Sequence, residues 1–147
     1  MRKSLMLLLF PLLLTACATP GYTEISDDTP TCTTTGKSPV NIFYGDSQLK
    51  VEPSVVKVKK NRMIEFTLKP QKFAGIDPEG VDYNEVIVAI TGKKTAGNWL
   101  NVSGKGNGTK LEVCAPDPGG KEVRVYEYMV IVQEVGQLDP RAEVDPD

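Results

Sequence analysis

Histidine is absent from this 147-residue chain. Its absence removes the commonest general base, the imidazole metal ligands and every triad built on Ser-His or Cys-His. Cationic excess is missing too: 17 basic side chains stand against 19 acidic ones, a net charge of −2. That balance cannot hold a polyanion by counterion release, so nucleic acid is set aside as a partner. Long apolar runs are also lacking. The longest covers residues 5–14 and is interrupted by Pro11, whereas a helix rising ~1.5 Å per residue needs about twenty residues to cross a bilayer. What remains is an ordinary globular composition, 40% apolar and 24% charged, which excludes collagen-like and wholly disordered chains.

The short apolar run follows Arg2 and Lys3 and has the length of the central region of a secretory signal. Directly after it, Leu14-Thr15-Ala16-Cys17 resembles the bacterial lipobox: a branched apolar residue, two small ones, then cysteine. The resemblance implies a diacylglyceryl group on the Cys17 sulfur, cleavage between Ala16 and Cys17, and acylation of the new amine, with palmitate as the typical chain. Ala18 occupies the position where an aspartate would retain a lipoprotein at the inner membrane, which implies the periplasmic face of the outer membrane. The other reading is an ordinary secretory signal, cut after Ala16 or Ala18, in which Cys17 is incidental.

With residues 1–16 removed, a single domain remains, long enough to bury its own core. If Cys17 carries lipid, Cys32 and Cys114 are left as an even pair in an oxidising compartment, where a disulfide is the expected state. The chain-entropy model assigns a loop of that length roughly 4 to 5 kcal/mol. A free thiol or a metal-ligating Cys114 is the alternative.

Residues 17–38 are rich in Thr, Pro, Ser, Gly and Asp and read as a tether. From Pro39 the apolar period becomes two. Ile42 and Tyr44, Val56 and Val58, and Ile64, Phe66 and Leu68 alternate with polar neighbours. Further strands are expected at residues 85–91, 99–102, 110–114 and 122–135. Gly45-Asp46, Lys60-Asn61, Asp77-Pro78-Glu79-Gly80 and Asp117-Pro118-Gly119-Gly120 supply turn chemistry between them. Seven to eight short strands without a helical period predict an all-β, antiparallel Greek-key β-sandwich over residues 39–138. Residues 139–147 are acidic and contain two Asp-Pro steps, which reads as an extended tail or an added edge strand.

One segment sharpens the fold expectation. Residues 49–66, with Pro53, Val56 and Val58 before a turn and Ile64 and Phe66 after it, resemble the opening of a cupredoxin domain. Residues 111–116 lead through a Pro/Gly loop toward a final strand, much as that family's copper-ligating cysteine does. The resemblance implies a cupredoxin-like sandwich, the immunoglobulin-like sandwich being the alternative. It also implies a copper site, which this sequence does not supply. A blue-copper centre needs two imidazoles, a thiolate and usually a methionine, and the loop after Cys114 reads Ala115-Pro116-Asp117-Pro118-Gly119-Gly120-Lys121.

Other motifs yield mainly structural readings. Gly36-Lys37-Ser38 resembles the end of a phosphate-binding loop, but Thr31 stands where that motif needs glycine. Gly104-Lys105-Gly106-Asn107-Gly108 reads as a hairpin loop. Asp77, Glu79, Asp82 and Glu85 are the densest acids and could wrap Ca²⁺, although their spacing is not that of an EF-hand and solvated loop acids are commoner. Trp99, beside Asn98 and Asn101, is read first as core and second as a recognition residue. The expected function is therefore a lipid-anchored, non-catalytic binding or structural module of the envelope, without cofactor and with another envelope protein as partner. The alternatives are a cupredoxin-derived metal or redox protein and a periplasmic enzyme inhibitor acting through residues 92–108.

Overall fold

A computed structural model of the chain describes residues 32–46, 48–71, 81–93 and 100–147. The signal segment, Cys17, most of the tether, Asp77, Glu79 and Trp99 lie outside the described residues. Ten strands are found among the described ones: β1 (Thr34–Gly45), β2 (Gln48–Glu52), β3 (Val55–Lys59), β4 (Arg62–Pro70), β5 (Val88–Gly92), β6 (Asn101–Gly104), β7 (Lys110–Cys114), β8 (Arg124–Val132), β9 (Gly136–Leu138) and β10 (Arg141–Asp145). They form two sheets. The first has the order β2-β1-β4-β7, and the second the order β3-β10-β8-β5-β6, with β9 also paired to β8.

The alternation read from sequence produces the packing between them. Val40, Ile42 and Tyr44 of β1 and Ile64, Phe66 and Leu68 of β4 point inward and are fully buried. They face Tyr126, Tyr128, Val130 and Val132 of β8 and Val88 and Ile90 of β5. Across the gap, the Phe66 and Tyr128 rings meet edge to face, with centroids 5.7 Å apart, the arrangement their ring quadrupoles favour. The chain is an all-β sandwich.

Its sheets are mixed rather than antiparallel throughout. β1 pairs parallel to β4, and β3 parallel to β10. Between β2 and β3, at Pro53 and Ser54, the chain leaves the first sheet for the second. Since β3 continues in β2's direction in the other sheet, β4 returns to the first sheet running with β1. Asn61 makes the turn between β3 and β4 with φ 57°, a conformation asparagine tolerates. At the β1–β2 turn the chain needs glycine for space as well as for φ, because a Cβ on Gly45 would lie 2.0 Å from the Gln71 carbonyl oxygen.

Several boundaries move. The tether assigned to residues 17–38 already contains the start of β1, which begins at Thr34. The segment 85–91 opens as a turn at residues 83–85, and its strand starts at Val88. The stretch 122–135 ends as a strand at Val132, where Glu134 takes a positive φ of 67° and β9 folds back. The largest change is at the C-terminus. Residues 141–145 are an interior strand, flanked by β3 on one side and β8 on the other, with Ala142 and Val144 fully buried. Pro140 and Pro146 fall just outside β10 and bound it, so the Asp-Pro steps end the strand instead of preventing it. β9 and β10 lie end to end along the same edge of β8.

Candidate binding surfaces

The N-terminal attachment of the domain is covalent. Cys32 and Cys114 form a disulfide with Cα atoms 5.1 Å apart and a sequence separation of 82. Around it, Thr33 N-H donates to Asn61 O, Asn61 N-H to Ala115 O, and Ala115 N-H to Arg62 O, at 3.1, 3.0 and 2.9 Å. The bridge therefore gathers the chain entry, the β3–β4 turn and the end of β7 at one pole of the sandwich. Cys114 does not lead into the last strand as the sequence suggested, since β8, β9 and β10 follow it.

The outer face of the first sheet is a chain of charges. Glu65 of β4 sits between Lys37 of β1, at 2.6 Å, and Lys110 of β7, at 3.1 Å, and Lys37 also bonds Glu112. The hydrogen bond from Lys37, followed by that from Lys110, lowers the Glu65 carboxyl to about 2. The bonds from Lys37 to Glu112 and Glu65 raise the lysine. Lys50 pairs with Glu52, and Lys69 lies over the Phe43 ring at 5.3 Å. Gly36-Lys37-Ser38 belongs to this ladder, on β1, and has no part in a phosphate loop.

The outer face of the second sheet carries ion pairs too, and exposed apolar side chains beside them. Along β8 the inward residues alternate with outward Val125, Glu127, Met129 and Ile131, and Val123 precedes them in the same phase. Val123, Val125 and Ile131 are 54%, 53% and 37% exposed, and Ile87, beside the end of β8, is 51% exposed. With Leu138 on the rim strand β9, these are the exposed large hydrophobics among the described residues, and none lies on the first sheet. Glu127 interrupts the stripe but is tied to Lys93 at 3.6 Å and Arg141 at 3.7 Å.

No protein-family model matches the sequence, and no curated protein matches it. Among solved structures the chain is similar to auracyanin A, described as a "blue" copper protein from the green thermophilic photosynthetic bacterium Chloroflexus aurantiacus. The two share 14% identity at a TM-score of 0.39, over 75% of this chain and 100% of that one. No residue role carries over from it. The copper centre implied by the cupredoxin resemblance does not fit this chain's own donors. The Cys114 sulfur is bonded to Cys32, and the sequence holds no imidazole. Among the described residues, no three His, Cys, Asp or Glu side chains gather as a metal group.

The acidic segment is only partly described. The Asp82 carboxylate accepts from Asn84 N-H at 2.9 Å and from the Asn84 side chain, and Glu85 pairs with Lys105. The two described acids thus face different partners. The glycine loop after Gly104 is not a hairpin. It passes from β6 in the second sheet to β7 in the first, and it is pinned to β4 by Gly108 N-H to Leu68 O and Leu68 N-H to Thr109 O.

Sequence reasoning passed over the β8 stripe, although a signal was present. From Val123 to Val132 both parities are mainly apolar, so one face could be buried between the sheets while the other remained apolar and uncovered.

Proposed function

We propose that this protein is a lipid-anchored, non-catalytic binding module of the bacterial envelope, held to the periplasmic face of the outer membrane through Cys17. Its partner is another envelope protein, which it meets through the outer face of the second sheet. The observation that carries the binding role is the one-sided distribution of exposed hydrophobics: Val123, Val125, Ile131 and Ile87 lie with the second sheet, while the first has none among the described residues. Exposed apolar side chains gathered on one face of a domain suit an interaction site. The anchor is supported by the Leu14-Thr15-Ala16-Cys17 motif and the basic, short-apolar segment before it. The non-catalytic reading is supported by the lack of histidine and by the engagement of Glu65 and Lys37 in mutual ion pairs.

Two measurements test the halves separately. Cys17→Ser removes the thioether, and the protein is expected to leave the membrane fraction or to remain unprocessed. Unchanged fractionation and mature mass would disprove the anchor. Photo-crosslinkers at positions 125 and 131 should capture one envelope protein that crosslinkers at positions 50 and 112 on the first sheet do not. Equal capture from both faces would remove the second sheet as the binding face.

A further inference from the structure

The disulfide pole carries a cavity of about 340 Å³, bounded by β3, the start of β4, the residue before β8, and β10. Lys57, Lys59 and Arg62 line it together with Glu143 and Asp145, and Val123 adds an apolar contact. The register sets the charges side by side on neighbouring parallel strands, Lys57 next to Glu143 and Lys59 next to Asp145. Only the first of these couples closes, with Lys57 Nζ 3.7 Å from the Glu143 carboxylate. Lys59 and Arg62 make no ion pair among the described residues, and Arg62 Nε is shut off from solvent without a hydrogen-bond partner. Most of the other lysines here are engaged: Lys37, Lys50, Lys93, Lys105 and Lys110 all pair with carboxylates. Lys59 and Arg62 both line this cavity without an ion-pair partner among the described residues.

The guanidinium is also held in place. A Cβ on Gly36 would stand 2.5 Å from Arg62 Nη2, so the group packs flat against the β1 backbone where only glycine leaves room. A guanidinium fixed in this way, lining the same cavity as an ammonium without an ion pair, suits a group with several anionic oxygens. The neighbouring carboxylates would repel a simple anion. They would attract an ammonium one strand spacing away, about 4.8 Å.

We propose that this cavity binds a zwitterionic aminoalkyl phosphate, with the phosphate on Arg62 and Lys59, the ammonium on Asp145 and Glu143, and the remainder of the ligand against Val123. The chemistry is that of a phosphoethanolamine group, either free or as a lipid head group. The site shares Val123 with the β8 face but not Val125, Ile131 or the anchor, so loss of ligand in Lys59→Gln is distinguishable from loss of the partner captured at positions 125 and 131.

The test is a titration of the isotope-labelled purified protein with phosphoethanolamine, followed by NMR at residues 57–62 and at the Arg62 Nε-H. Saturable shifts are expected, and inorganic phosphate or ethanolamine alone should bind at least about tenfold more weakly, since each offers only one of the two charges. Lys59→Gln, on an exposed side chain whose loss leaves the fold intact, should weaken binding by about tenfold, and Arg62→Gln by more. Vesicles of phosphatidylethanolamine in phosphatidylcholine, against phosphatidylcholine alone, identify the source: selective binding assigns the lipid head group, and response to the soluble compound alone assigns the free ligand. No saturable shift with either form, equal binding of inorganic phosphate, or full affinity in Lys59→Gln would overturn the proposal.

Discussion

Glu65 shows how one residue can break the strand pattern without disturbing the strand. It projects from the outer face of β4 yet is only 8% exposed, because the stems of Lys37 and Lys110 close over it. Its carboxyl is lowered to about 2 by hydrogen bonds from Lys37 first and Lys110 second. A carboxylate whose folded value lies below its unfolded value stabilises the fold above the unfolded value, near 4.5, and loses that contribution as pH falls toward 2. Glu65→Gln is therefore expected to lower the melting temperature at pH 7 and to flatten its dependence on pH between about 4.5 and 2. The difference between wild type and variant should shrink through that window. Melts across the range check this, and a constant difference at every pH would show that the loss is one of packing and not of charge.

Among the elements, β10 was the hardest to see in the sequence, and its concealment has a physical cause. Arg141-Ala142-Glu143-Val144-Asp145 has only two apolar positions, one of them alanine, so its period-two signal is faint against the acidic background. Burial comes from its neighbours, since β3 and β8 flank it on both sides. Val144, fully buried there, should cost about 2 kcal/mol of stability when cut to alanine, as read from urea denaturation. Truncation after Leu138 should prevent folding, while removal of Asp147 alone should change stability by no more than about 0.5 kcal/mol. Elements whose alternation is local were legible: β4 and β7 lie where the apolar period placed them, and the Lys60-Asn61 turn joins β3 to β4 as its chemistry suggested. The parallel pairings were not legible, because they depend on the sheet change at Pro53 and join residues far apart in the chain. Of the binding surfaces, the Cys32–Cys114 bridge was readable from cysteine parity. The cavity was not, since Arg62, Lys59 and Asp145 meet only through tertiary structure.

At the scale of the whole molecule, the two sheets contribute the same inner face and different outer ones. Both bury aliphatic and aromatic side chains in a shared core and both carry ion pairs outside, but the exposed large hydrophobics among the described residues fall with the second, several of them along β8, its central strand. If the β8 stripe serves recognition rather than stability, it can be altered at little cost to the fold, because its side chains are already half in water. The double variant Val125→Thr, Ile131→Thr keeps β-branching, and with it the strand preference, while removing apolar surface. Its denaturation free energy should lie within about 1 kcal/mol of wild type, and its affinity for the partner captured at positions 125 and 131 should fall by about tenfold or more. Glu112→Gln on the other face should leave that affinity unchanged. A double variant that unfolds readily but still binds would mean that the stripe is structural and that the partner's contact lies elsewhere on the sandwich.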